Sequence, residues 1–253
     1  MDNTFIGIIP ARYASTRFPG KPLANLGGKT VIEHVYRRTS EVLENVFVAT
    51  DDERIFWAVE AFGGKAIMTS PNHASGTDRV QEAYMKCGKD ADVVINIQGD
   101  EPFIATGQIK LLMSAFDDAE TDIATLARAF DPKQGFEALF DPNLVKVTFA
   151  DNARALYFSR SIIPYVRGVD WKEWLEKTQF YTHVGIYAYR TKALAEITQL
   201  ERSSLEIAES LEQLRWLQNG YNISVGVTEH ESVGIDTPED LERARKLLSD
   251  KRK

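Results

Sequence analysis

The chain reads as an α/β protein, a doubly wound, mostly parallel sheet with an antiparallel hairpin and insertion. Three observations predict this. From the N-terminus to about residue 128, short β-branched runs alternate with stretches whose apolar residues recur at helical spacing, the rhythm of right-handed crossovers. One run, Val93-Val-Ile-Asn-Ile-Gln98, is nearly continuous in apolar residues, as a parallel strand covered on both faces requires. Further on, residues 145–149 and 154–158 flank Asp151-Asn152, a hairpin signal rather than a crossover.

The first strand, residues 5–9, is expected to stop at Pro10, which lacks the N–H that a central strand needs next. The loop that follows carries Arg12, Arg17 and Lys21 among small and rigid residues. Guanidinium forks pair phosphate oxygens two at a time and a lysine acts as a movable point charge, so this loop suits a triphosphate. A solvated basic loop is the plain alternative. Three cations within ten residues, directly after a strand, favour the anion site. The loop is neither a Walker loop nor a dinucleotide fingerprint: Gly20-Lys21 is followed by Pro22, and Pro10-Ala-Arg12 stands where the glycines should be.

Thr30 opens a helix with Glu33 three residues on, a capping-box pair. A strand over 46–50 leads to Asp51-Asp52-Glu53, read as helix N-terminal charge, and a helix follows with Ile55, Val59 and Phe62 on one face. After a short strand over 65–68 comes the polar loop Asn72-His-Ala-Ser-Gly-Thr-Asp-Arg79, where Ser75 or Thr77 caps a helix or the run meets a heterocycle. Asp100, just past the strand at 93–98 and beside Gly99, is placed to hold a divalent cation. A helix then begins at Thr106.

A strand over 123–128 precedes the hairpin. The insertion bearing Trp171 and Trp174 is expected to cover substrate or a partner subunit. Residues 182–189 alternate with period two, which sets His183, Gly185 and Tyr187 on one face. One helix is predicted over 205–217, with Glu212 and Gln213 off its apolar stripe and facing solvent. After a strand over 221–227, Thr237 caps the last helix and Pro238 takes its first position. Asp236 precedes that cap and is spared to be a second metal carboxylate.

The 253 residues are 43% hydrophobic and 26% charged, enough for one domain over 1–253 with a hairpin-and-insertion subregion at about 146–178. A net charge of −7 argues against a nucleic-acid surface and sets the basic loop apart. No apolar run approaches the roughly 20 residues of a spanning helix, and the first residues do not read as a secretory leader, so a cytoplasmic protein without a membrane partner is expected. Cys87, the one cysteine, excludes an internal disulfide and reads as a core residue.

Seven blocks carry a resemblance: Pro10-Ala-Arg-Tyr-Ala-Ser-Thr-Arg-Phe-Pro-Gly-Lys-Pro22, Ser75-Gly-Thr-Asp-Arg79, Asn96-Ile-Gln-Gly-Asp-Glu-Pro102, Tyr157-Phe-Ser-Arg160, His183-Val-Gly-Ile-Tyr187, Leu211-Glu-Gln-Leu-Arg215 and Asp236-Thr-Pro-Glu-Asp-Leu241. In this order and nearly end to end, they resemble the 3-deoxy-D-manno-octulosonate (Kdo) cytidylyltransferases. The resemblance implies a nucleotidyltransferase-like Rossmann variant. It also implies transfer of CMP from CTP to Kdo, with release of pyrophosphate, for lipopolysaccharide biosynthesis in the cytoplasm. By that resemblance Arg12, Arg17 and Lys21 hold the phosphates, and Ala11, Ser75, Gly76, Thr77, Arg79 and Gln98 surround the cytidine. Asp100 and Asp236 hold Mg²⁺, and with Arg17 and Lys21 they form the catalytic set. Arg160, His183, Tyr187, Glu212 and Gln213 meet the sugar, Arg160 pairing its carboxylate. A homodimer is implied as well. The alternatives are a cytidylyltransferase for another acidic, sialic-acid-like sugar and a nucleotide-binding homologue without turnover.

Overall fold

The computed structural model describes residues 3–231 and 234–250. The chain divides into two compact units, residues 1–110 with 232–253, and residues 111–231. In the first unit β1 (Phe5–Ala11) leads into a small ribbon of β2 (Asn25–Leu26) and β3 (Lys29–Thr30), then α1 (Val31–Ser40). There follow β4 (Val46–Thr50), α2 (Glu53–Ala61), β5 (Ala66–Met68), α3 (Gly76–Lys86) and β6 (Val93–Asn96), and the boundary after residue 110 falls within α4 (Thr106–Ser114). The strands pair in parallel in the order β6, β1, β4, β5. Every residue of β4 and β6 is buried, as the uninterrupted apolar runs require. Thr30 caps α1 by accepting from the Glu33 N–H, and Val31, Ile32 and Val35 turn inward.

Contrary to expectation, β1 continues through Pro10 to Ala11. The Ile8 carbonyl accepts from the Ile97 N–H on the β6 side, and Pro10, two residues on, faces the same way. The β6 pairing has ended by then, at Ile8 opposite Asn96, so the missing N–H has no ladder partner to lose.

In the second unit β7 (Ile123–Ala129) precedes the hairpin of β8 (Lys146–Phe149) and β9 (Ala155–Ser159), which turns through Ala153 at φ +64°. The insertion holds α5 (Trp174–Lys177), so the hairpin and insertion expected at 146–178 both fall inside this unit. It leads to β10 (Tyr181–Arg190), α6 (Thr191–Ile197), α7 (Ser204–Glu209), α8 (Glu212–Gln218) and β11 (Ile223–Val227). β7 pairs antiparallel with β10 and parallel with β11, and β10 also pairs with β8. The single helix expected over 205–217 is two, broken where Ser210 adopts a left-handed conformation at φ +50°. The break turns Gln213 inward, where it is buried instead of facing solvent. In β10 the register shifts between Val184 and Tyr187, so strict alternation fails there.

The chain then returns to the first unit with α9 (Pro238–Asp250). Its Leu241 and Ala244 pack with Ile235, Leu26 and Val31, and Phe18 and Phe103 close the cluster. Burying each such side chain contributes about 1.5–3 kcal/mol, enough to seat the start of α9 against the loop after β1. Among the described residues no helix is long and apolar enough to cross a membrane. Cys87 ends α3 half-buried, its thiol donating to the Tyr84 carbonyl, and is not a core residue.

Candidate functional site

In the first unit a cleft of about 410 Å³ opens at the C-terminal ends of β1 and β6, lined by Arg12, Arg17, Lys21, Gly76, Gln98, Asp100 and Asp236, with Ala14, Ser15 and Thr16 of the loop between. Parallel sheets place ligands at this edge. Gly99 is required there: a Cβ on it would lie 2.6 Å from the Pro10 carbonyl oxygen, so only glycine lets β1 and the loop after β6 come this close.

Four charged groups meet in the cleft. Lys21 Nζ lies 2.5 Å from Asp100 Oδ2 and 3.0 Å from Asp236 Oδ1, and Arg17 Nη2 lies 3.1 Å from Asp236 Oδ2. Burial pulls the Lys21 pKa down, but the two carboxylates outweigh it and raise the value, so the ammonium is charged across the neutral range. Asp236 reaches Asp100 through backbone: the Ile235 N–H donates to the Asp100 carbonyl at 2.9 Å. Asp240 then aims it, accepting the N–H groups of Asp236 and Thr237 at 2.9 Å each while its own N–H donates to Thr237 Oγ1. Thr237 is legible as a cap in the sequence; the part of Asp240 is signalled there only by the capping-box spacing Thr237-x-x-Asp240.

Two half-exposed carboxylates sharing one cation are a donor set of hard oxygens. Among the described residues no third His, Cys, Asp or Glu joins them. That suits magnesium, which binds through one or two carboxylates and completes its shell with water and substrate phosphate.

The segment 73–79 contributes unevenly. Arg12 Nη2 donates to the His73 carbonyl at 3.1 Å and to that of Ser75 at 3.5 Å, which ties the cationic loop to this segment. Ser75 caps α3 in a capping box with Asp78, Gly76 faces the cleft, and Thr77 is buried. Arg79 is wholly buried and points away from the cleft lining, its Nη1 donating to Thr69 Oγ1 and its Nη2 to Asp51 at 2.7 Å. Asp51, read from sequence as helix-terminal charge, is thus the partner of a buried guanidinium. Ala11 closes β1, buried at the cleft wall.

The remaining expected residues lie in the second unit. His183 Nε2 is 2.9 Å from Thr125 Oγ1, and its ring packs against Phe158 and Tyr187. Burial lowers its pKa to about 4, so the imidazole is neutral at pH 7. Tyr187 is buried against Trp216, and burial, then Tyr189 and Glu212, push its phenol up. Glu212 pairs with Arg215 at 2.8 Å. Arg160 donates from Nε to the Glu209 carbonyl, from Nη2 to that of Ser210 and from Nη1 to that of Pro142, pinning the break between α7 and α8 two residues before Glu212. The structure therefore packs His183 against Tyr187 on β10, sets the Glu212 charge within reach of the Tyr187 phenol, and ties Arg160 to the turn that starts α8, the helix of Glu212. A larger cavity of about 740 Å³ in this unit is chiefly apolar and aromatic, with Phe136, Phe140, Tyr165, Trp171 and Trp174 in its wall.

Known proteins resemble the chain over nearly its whole length. A cytidylyltransferase family model matches residues 6–224. The 3-deoxy-manno-octulosonate cytidylyltransferase of Parabacteroides distasonis is 59% identical over 98% of this chain and 99% of its own. That of Phocaeicola vulgatus is 60% identical over 96% and 97%. A solved CMP:2-keto-3-deoxy-manno-octonic acid synthetase, complexed with CTP, superposes with a TM-score of 0.90 at 44% identity, covering 98% of this chain and 99% of its own. A putative glucose-1-phosphate thymidylyltransferase from Bacillus anthracis, 19% identical at a TM-score of 0.66 over 98% of this chain and 96% of its own, shares the fold. The chain belongs to the cytidylyltransferase family, among its 3-deoxy-manno-octulosonate cytidylyltransferases.

Proposed function

We propose that the protein transfers the CMP group of CTP to Kdo, releasing pyrophosphate, in the supply of activated sugar for lipopolysaccharide. The observation that carries this reading is the convergence of Arg17, Lys21, Asp100 and Asp236 in one cleft, in a chain that matches named relatives from end to end. The anomeric hydroxyl of Kdo attacks the α-phosphorus in line with departing pyrophosphate. Both reactants are anions, so the work of the site is charge neutralisation and positioning. Arg12 and Arg17 hold the phosphates, and Lys21 follows the charge that builds on the phosphoryl and leaving groups. Ser75, Gly76, Thr77 and Gln98 frame the cytidine, with Arg79 bracing their segment from behind. Asp100 and Asp236 hold Mg²⁺, which supplies positive charge to phosphate oxygens and acidifies a bound hydroxyl. For the sugar acid we assign Arg160, His183, Tyr187, Glu212 and Gln213.

A panel of CTP with Kdo, N-acetylneuraminate and sugar 1-phosphates, read by pyrophosphate release, tests the reading. Kdo should be turned over far faster than any other acceptor. Preference for the nonulosonate would move the enzyme to the sialic-acid-like class, and CTP binding without pyrophosphate release would leave only a nucleotide-binding homologue.

We further infer a homodimer formed through the insertion. Tyr165 is 74% exposed and Phe140 59% exposed beside the aromatic cavity, more apolar surface than one chain has reason to leave in water. Light scattering should give twice the 28.5 kDa chain mass, and Tyr165→Glu should shift the population to monomer. A wild-type monomer at micromolar concentration would end this inference.

A further inference from the structure

Arg17 and Lys21 act on a triphosphate only if the loop that carries them keeps its shape, and part of what holds that shape comes from outside the loop. Gly20 sits in the left-handed region at φ +72°, and its N–H donates to the Tyr13 carbonyl at 2.9 Å, which closes the loop on itself. The Tyr13 ring lies directly against Gly20: a Cβ on that glycine would be 3.0 Å from two ring carbons. On the ring lies the Arg54 guanidinium, its Cζ 3.3 Å from the ring centroid. Arg54 is itself fixed. Its Nε and Nη2 both donate to the Asp52 carboxylate, at 2.9 and 2.6 Å, and Asp52 is the N-cap of α2. A chain of contacts therefore runs from the start of α2 through Arg54 and Tyr13 to Gly20, next to Lys21.

We propose that Tyr13 and Arg54 are positioning residues that clamp the anion-binding loop in its competent shape before nucleotide arrives. Neither lies among the groups assigned to substrate or metal, and the carboxylate of Asp52 balances the charge of Arg54, so the pair contributes order and not attraction for anions. Arg54 is exposed, and without its side chain Asp52 still accepts from the backbone N–H of residue 54, so the fold survives the change. A stacked guanidinium at an exposed site holds its ring by a factor of about 2–5, and the ring itself, which packs on the glycine, by more.

Limited trypsin digestion without nucleotide reads the clamp directly, because the Arg17–Phe18 bond lies in the loop while Lys21 resists cleavage before Pro22. Cleavage at Arg17 should speed up about 2–5-fold in Arg54→Ala and more in Tyr13→Leu, and stay at the wild-type rate in Tyr13→Phe, with melting temperatures unchanged. Equal cleavage rates in wild type, Arg54→Ala and Tyr13→Leu would overturn the clamp. The catalytic consequence rests on the CTP reading: loosening the loop reduces the fraction of competent protein, so the KM for CTP should rise by the same factors while the KM for Kdo holds. Faster cleavage with an unchanged KM for CTP would keep the clamp and reject its role in nucleotide binding. If the Tyr13→Leu and Arg54→Ala effects on cleavage multiplied as independent changes, the stack would not be the coupling contact.

Discussion

Asp100→Asn is expected to lower kcat about 10²–10³-fold, the usual cost of deleting one preorganised electrostatic group, while CTP affinity is largely kept. The change is nearly isosteric, so the cleft keeps its shape and loses one negative charge. That charge faces Lys21 Nζ at 2.5 Å, and with Asp236 it makes up the carboxylate pair assigned to magnesium. Both consequences fall hardest where charge is moving. Lys21 is left with Asp236 as its one charged partner, and one of the two carboxylates that would hold the cation is gone. Arg12, Arg17 and the frame of residues 75–77, the groups assigned to ground-state CTP, are untouched by the change, so binding should suffer little. Steady-state kcat and KM, with calorimetric titration of CTP, separate the two. Near-normal turnover would remove Asp100 from the mechanism, and loss of CTP binding at unchanged kcat would make it a nucleotide-holding group.

The alternation of strands and helices in the first unit was legible because each element there is specified locally. Val46 to Thr50 and Val93 to Asn96 announce buried strands by composition, and Thr30 with Glu33 announces a helix start. What could not be read depends on contacts distant in sequence. Pro10 stops a strand only where a neighbouring strand needs its N–H, and the end of β6 is invisible from residue 10. The helix expected over 205–217 fails because Arg160, 50 residues earlier than Ser210, pins the break through the backbone carbonyls of Glu209 and Ser210. The stripe of residues 205, 208, 211, 214 and 217 gave no hint of it. The cationic loop, Asp100 and Asp236 were legible as a set because their chemistry is unusual at strand ends and before a cap. Their partners were not. Asp51 and Asp52 look alike beside each other in sequence, yet one pairs with a buried guanidinium and the other anchors an exposed one.

Arg79→Leu is expected to give the largest loss of stability. Arg79 is entirely inaccessible, and its two donors join α3 to the ends of β4 and β5 through Asp51 and through Thr69, whose hydroxyl in turn donates to the Thr50 carbonyl. Leucine fills part of the volume but leaves the largely buried Asp51 carboxylate without its counter-charge. Breaking a buried pair from one side costs about 3–5 kcal/mol, a fall in melting temperature on the order of 10 °C for a chain of this size. Lysine should not rescue it, because one ammonium cannot reach both partners with the geometry of a fork. Removing both charges in Arg79→Leu with Asp51→Leu should recover much of the loss, since the penalty lies in the orphaned carboxylate more than in the missing attraction. Thermal unfolding of the three variants, followed with and without CTP, decides between two roles. A brace gives a large stability loss, recovered in the double variant, with CTP affinity following the folded fraction. A residue that touches the cytidine gives near-wild-type melting without nucleotide and a CTP affinity that the double variant does not restore.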